Sequence, residues 1–200
     1  MTGVRTALLK MFLLVLLAGC IFLTAAYGTG EPCGLLGDWA FNYEPTVSAL
    51  QVLEDGTAVW NGAAYTWEDD GETLTLTRED AEADEEPVKL RYLADGEKVF
   101  IYLPASYIRI AKDRDDEIFG AWVQEGASRS SFIFEKSMQF MEDETFVGSF
   151  EVDAEAGTFT LHYIPNYFDD TTCYFTWDGD SMTVEYPWTI VPTQAEEAAE

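Results

Sequence analysis

Three cysteines, one histidine and 37 acidic side chains are the groups with which this 200-residue chain could do chemistry. A thiol is a nucleophile and a metal ligand, an imidazole is a base near neutral pH, and carboxylates act as acids, bases or ligands for hard cations. Spacing narrows these options. His162 alternates with apolar neighbours in Thr160-Leu161-His162-Tyr163, the pattern of a partly solvated strand position. No Gly-x-Ser-x-Gly turn occurs to raise a serine nucleophile. Zinc needs several close His or Cys ligands, and Cys20, Cys33 and Cys173 are scattered. No glycine-rich phosphate loop leads into a helix. Paired carboxylates hydrolyse glycosides only at a set separation in a cleft, and among so many acids no pair stands out. The chain is expected to be non-enzymatic, with no metal and no cofactor.

Cys20 has the most informative context. The first ten residues carry Arg5 and Lys10 and no acid, and Met11 to Ala18 form an apolar run of signal-peptide length. Leu17-Ala18-Gly19-Cys20 then resembles the lipobox of bacterial lipoproteins, which implies a diacylglycerol on the Cys20 thiol and cleavage just before it. Two small residues ahead of the cysteine let an extended backbone enter a protease cleft. Lipoproteins usually turn polar after the cysteine, whereas Ile21 to Tyr27 stays apolar. Two other outcomes stay open. Cleavage near Thr24 and Ala26 would release a soluble protein, and retention of Met11 to Tyr27 would leave a short anchor at the lower limit of spanning length. All three place the body outside the cytoplasm. Cys33 and Cys173 could then pair in an oxidising compartment, closing a loop of about 140 residues. Two small buried thiols are the other reading.

The formal charge is -26, and the first thirty residues contain no acid, so the acidity belongs wholly to the body. Such a body repels phosphate backbones, which excludes nucleic acid as a partner class. Aromatic residues make up 14% of the chain, too many for a disordered protein.

The elements that must position these groups are strands. Leu74 and Leu76 alternate with Thr73, Thr75 and Thr77; Val99, Ile101 and Leu103 alternate with Phe100 and Tyr102; Phe159 and Leu161 alternate with threonines. Asp55-Gly56, Asp70-Gly71, Asp95-Gly96 and Asp178-Gly179 supply the positive φ of tight hairpin turns. The pattern repeats. Leu36-Gly37-Asp38-Trp39 matches Phe119-Gly120-Ala121-Trp122, Leu50–Thr57 matches Met138–Thr145, Tyr65–Leu76 matches Phe150–Leu161, and Arg91–Gly96 matches Phe175–Asp180. The expected organisation is a signal or anchor helix at 1–27, repeats at 35–112 and 118–192 joined by a charged linker, and an acidic tail at 193–200. The acidic run Glu79 to Glu86 lacks the spaced ligands and turn glycine of a calcium loop and is read as a solvated hairpin loop.

A Gly-x-Trp opening strand followed by a meander joined at Asp-Gly turns resembles the lipocalin-like domains of bacterial surface lipoproteins. The resemblance implies an all-β fold of two tandem small antiparallel barrels, or alternatively one larger barrel or sandwich formed by both repeats. It gives Gly37 with Trp39, and Gly120 with Trp122, a structural role: the ring packs across the closed end and the glycine allows close backbone approach. Each copy is shorter than a ligand-binding lipocalin. Trp39, Phe41, Trp60, Trp67, Phe100, Phe140, Phe150, Phe159, Phe175 and Trp177 are expected to point inward and fill the interior. Tyr163, Tyr167, Phe168, Tyr186 and Trp188 remain as a candidate exposed aromatic patch. The function expected is therefore a membrane-tethered binding module for an unknown protein or carbohydrate, with carriage of a small apolar ligand inside a barrel as the alternative.

Overall fold

The computed structural model describes residues 34–78, 80, 85–95, 98–112, 118–127, 130–164 and 168–195. The expected signal or anchor segment with Cys20, and also Cys33, Tyr167, the linker 113–117 and the end of the acidic tail, lie outside the described residues. Among those residues fourteen strands form and no helix does. The first seven are β1 (Gly37–Phe41), β2 (Ser48–Val52), β3 (Thr57–Trp60), β4 (Ala63–Asp69), β5 (Thr73–Arg78), β6 (Val88–Asp95) and β7 (Lys98–Lys112). The second seven are β8 (Gly120–Gln124), β9 (Ser131–Phe134), β10 (Gln139–Glu142), β11 (Phe146–Asp153), β12 (Thr158–Ile164), β13 (Thr171–Asp178) and β14 (Ser181–Pro192).

Successive strands pair antiparallel, and β14 returns to β1, so the sheet closes in a ring without a free edge. Alternation decides which face turns inward. In β5 Leu74 and Leu76 are fully buried while the threonines between them are not, and burying each leucine contributes about 2 kcal/mol. The long strands β7 and β14 also pair with each other, from Val99 opposite Ile190 to Ile108 opposite Ser181. This ribbon crosses the ring. One end of β7 bonds to β6 and the other to β8, while β14 bonds to β13 at its start and to β1 at its end.

The two halves repeat their hydrogen bonds. Trp39 Nε1 donates to the Leu35 carbonyl and Trp122 Nε1 to the Ile118 carbonyl, both at 2.8 Å. Gly37 and Gly120 ahead of them have φ of 131° and 133°. At Gly120 a Cβ would run into the Ala111 carbonyl oxygen, so glycine is required there twice over. The turn closed by Leu53 N to Thr57 O has its counterpart in Glu135 N to Gln139 O. The Leu50–Thr57 segment therefore corresponds to β9 and the turn after it, not to Met138–Thr145 as the residue types suggested. Positive φ at Met138, Asp143 and Glu144 carries the turns on either side of β10 without glycine, which removes the sequence signal there and shifts the apparent match by one strand.

The second half is packed around Trp122, Phe132, Phe134, Phe140, Phe150, Phe159, Leu161 and Cys173. Phe134 and Phe150 have ring centres 4.9 Å apart and Phe134 and Phe159 5.3 Å, so rings fill this interior. Of the aromatics expected inward, Trp60, Phe140, Phe150 and Phe159 are buried, and Trp39, Phe41, Trp67, Phe100, Phe175 and Trp177 are half-buried. Phe132 and Phe134 join the core without having been expected there.

Candidate functional site

The most distinctive polar group inside the ring is Glu142, the last residue of β10. The turn after it holds Asp143 and Glu144 at φ of 50° and 56°, a tight primed turn that fixes the end of the strand. Two residues from buried Phe140, the Glu142 side chain shares its inward face. Tyr163 on β12, only 6% exposed, donates its hydroxyl to Glu142 Oε2 at 2.7 Å. The Tyr186 hydroxyl on β14 lies 3.1 Å from that of Tyr163. Because the single Tyr163 proton goes to Glu142, Tyr186 must donate to Tyr163, and the three groups form one polarised chain.

Electrostatics follow from burial. Desolvation raises the Glu142 carboxyl above the usual carboxylate range, against the pull of the Tyr163 hydrogen bond, and the neighbouring Asp143 charge adds to the rise. Desolvation and the Glu142 charge push Tyr163 far above the ordinary phenol range and Tyr186 up to about 12. The same two causes raise the Cys173 thiol. Among the described residues no lysine, arginine or histidine pairs with Glu142.

From this carboxyl a chain of rings leads outward. Tyr186 and Trp188 are 6.2 Å apart between centres, and Trp188 meets Tyr43 at 5.9 Å and Phe41 at 6.1 Å. On the other side Phe168 packs edge-on against Tyr163 at 5.2 Å. Tyr43 is 64% exposed, Phe168 49% and Trp188 41%. The residues expected to form one exposed patch are thus graded in depth. Trp188 and Phe168 lie outside, Tyr186 is half-buried, and Tyr163 is in the core because it shares the inward face of its strand with Phe159 and Leu161. Sequence reasoning missed Glu142 and Tyr43. Only the paired inward alternation of Phe140 and Glu142 could have separated that acid from the others.

The other candidate residues are placed as follows. Gly37, Trp39, Gly120 and Trp122 open the two halves as described above. Cys173 is a buried free thiol in the second-half core, and Cys33 lies outside the described residues. His162 is one-third exposed on the outward face, and its Nδ1 meets Asp170 Oδ2 at 2.8 Å. Ser149 faces it across the strands without a hydrogen bond to it, so no serine is activated by this pair. An outward cleft of about 170 Å³ is lined by Arg91, Gly157, Tyr174, Thr176, Thr183 and Glu185, where Arg91 Nε already donates to Glu185 at 3.0 Å. In the β5–β6 connection Arg78 binds Asp80 at 2.9 Å and Glu85 at 3.5 Å. Among the described residues no group of acids, histidines or cysteines could hold a metal ion. No family model matches the chain, and no curated protein or solved structure is significantly similar to it.

Proposed function

We propose that this chain is a non-enzymatic binding module held at the outer face of a membrane through Cys20, and that its contact site is the aromatic lane from Tyr43 and Trp188 to Glu142. The observation that carries the reading is the continuity of that lane. Exposed rings offer apolar contact area at low entropic cost, and a hydrogen-bonded acid at the inner end supplies specificity. We further read the crossing ribbon as the shared wall of two lipocalin-like barrels, one made by β1–β7 with β14 and the other by β8–β14 with β7. The packed rings of the second half favour this lane over carriage of a small apolar ligand in that interior.

Two experiments test the reading. Intact-mass analysis of the membrane fraction is expected to find a diacylglycerol-sized addition that Cys20→Ala loses together with membrane attachment. A wild-type N-terminus near Tyr27 without lipid would refute the lipid tether. For the site, choline, 3,3-dimethylbutanol and methyl glucoside are titrated by calorimetry against wild type and Trp188→Ala. At least one is expected to bind wild type and to weaken several-fold in the variant, and binding of none would remove the site.

A further inference from the structure

We infer that the ligand of this lane is a small organic ammonium cation, received by the Glu142 carboxylate and the rings around it; this rests on the reading of the lane as a binding site. The first support is a comparison the molecule makes with itself. Asn61 N donates to Ala49 O at 3.1 Å and Asp143 N to Ser131 O at 3.0 Å, with φ of 48° and 50° at the two turn residues. Trp60 and Glu142, one residue earlier, are therefore counterparts at the ends of β3 and β10. One half fills the place with an indole 8% exposed, and the other puts an acid there. Tyr186 likewise faces its own counterpart, Leu103, across the β7–β14 ribbon. The fold accepts apolar side chains at both positions, so neither the carboxyl nor the phenol is required by the architecture. A half-buried acid that the fold does not need marks a functional position.

The second support is the charge of Glu142 among the described residues. Tyr163 satisfies one carboxylate oxygen by hydrogen bonding but is itself neutral, and among the described residues no cation pairs with the acid. A neutral polyol would add hydrogen bonds and leave that charge in place. A cation removes it. The third support is the setting. Aromatic faces attract cations within about 6 Å of the ring centre. A body with a formal charge of -26 raises the local concentration of any positively charged ligand. Among the described residues the titratable groups that feel Glu142 are Asp143 beside it, Tyr163 on β12, Cys173 on β13, Tyr186 on β14 and Tyr107 on β7, and none of these supplies a positive charge.

The test uses the full chain in a non-ionic detergent and two probes of nearly equal shape, choline and its uncharged carbon analogue 3,3-dimethylbutanol. Choline is expected to bind wild type at least about tenfold more tightly than the analogue. Glu142→Gln, which keeps an acceptor for Tyr163, is expected to erase that preference while leaving near-ultraviolet circular dichroism unchanged. Because the cation favours the ionised acid, choline affinity is also expected to fall as pH drops through the raised Glu142 titration. Equal binding of the two probes, or an unchanged preference in Glu142→Gln, overturns the cation assignment and leaves the site standing. Binding of methyl glucoside alone replaces the ligand class by a saccharide. Binding of none of the three overturns site and ligand together.

Discussion

Arg91 and Tyr174 occupy counterpart positions on β6 and β13, and they meet: the guanidinium carbon lies 4.0 Å from the centre of the Tyr174 ring. Thr73 faces Arg91 on β5 just as Thr158 faces Tyr174 on β12, so the contact joins equivalent points of the two halves. Arg91 Nε also binds Glu185, and Tyr102 packs edge-on against Tyr174 at 5.1 Å. The halves are thus clipped together outside the ribbon as well as through it. Both charged partners are about one-third exposed, so solvent screens the pair and the cation–π contact carries much of the coupling. Arg91→Ala is expected to cost about 1–2 kcal/mol in urea denaturation. A double-mutant cycle with Tyr174→Ala should return a coupling of about 0.5–1 kcal/mol, and strict additivity would sink the clip.

The opening glycines predict an asymmetry. Gly37 and Gly120 share a φ that L-residues rarely adopt, so alanine is strained at both. Beyond strain, a Cβ at Gly120 strikes the Ala111 carbonyl, whereas at Gly37 its nearest neighbour is Trp39 Nε1 at an ordinary 3.7 Å. Gly37→Ala should cost about 1–2 kcal/mol, and Gly120→Ala about 1–2 kcal/mol more, because backbone must move to admit it. Equal losses from the two variants would show that the Ala111 contact relaxes freely.

Cys173 predicts a labelling pattern. Its side chain is fully buried, and burial followed by the Glu142 charge raises its thiol well above the ordinary range. Thiolate is the reactive form, so a maleimide at neutral pH should leave Cys173 unmodified in the folded chain and modify it in urea. A Cys33–Cys173 bond would instead leave no thiol to label in urea until a reductant is added, and that outcome would revise the core.

How much of this was legible beforehand depends on what each residue had to do. Strands with clean alternation, such as Thr73–Arg78 and Thr158–Ile164, announce their inward faces because water and core sort the two sides. Turns were legible where Gly56, Gly71 and Gly179 carry the positive φ. They were silent at Met138 and Asp143, where tertiary pairing holds non-glycine residues in the same conformation. Phe132 and Phe134 were missed because a four-residue strand is too short for a periodic signal. The inner end of the lane was illegible for a different reason. Composition offers 37 acids, and only the register of β10 singles out Glu142.

Asp38 ties the opening strand to the end of the chain. Ser48 donates to its Oδ1 at 2.5 Å and Thr193 at 2.9 Å, and Gln51 donates to Oδ2 at 3.1 Å. Burial alone would raise this carboxyl, but the three hydrogen bonds together outweigh it and hold the pKa below its ordinary value. An acid lowered by folding contributes stability that is full above its unfolded pKa and is lost as pH falls through the folded one. Asp38→Asn should therefore cost about 1 kcal/mol near neutrality, discounted for exposure, and nothing once the pH lies below both values. A penalty independent of pH, measured by urea denaturation across the acid range, would assign the loss to packing.

Glu142 should do the opposite. Burial raises its carboxyl, so the folded chain holds the proton more tightly than the unfolded chain does. The contribution is most favourable below the ordinary carboxyl pKa and weakens as pH rises through the raised folded value. Glu142→Gln keeps a hydrogen-bond acceptor for Tyr163 and removes the ionisation. Its stability curve should meet that of wild type in acid and lie above it by about 1 kcal/mol near neutrality. Trp60 already shows that the first half does without an acid at this position. Adding choline should then narrow the gap, since a bound cation stabilises only the ionised wild-type site. Curves that stay parallel at every pH would mean that Glu142 titrates alike in the folded and unfolded chain, and would leave its inward position without a functional explanation.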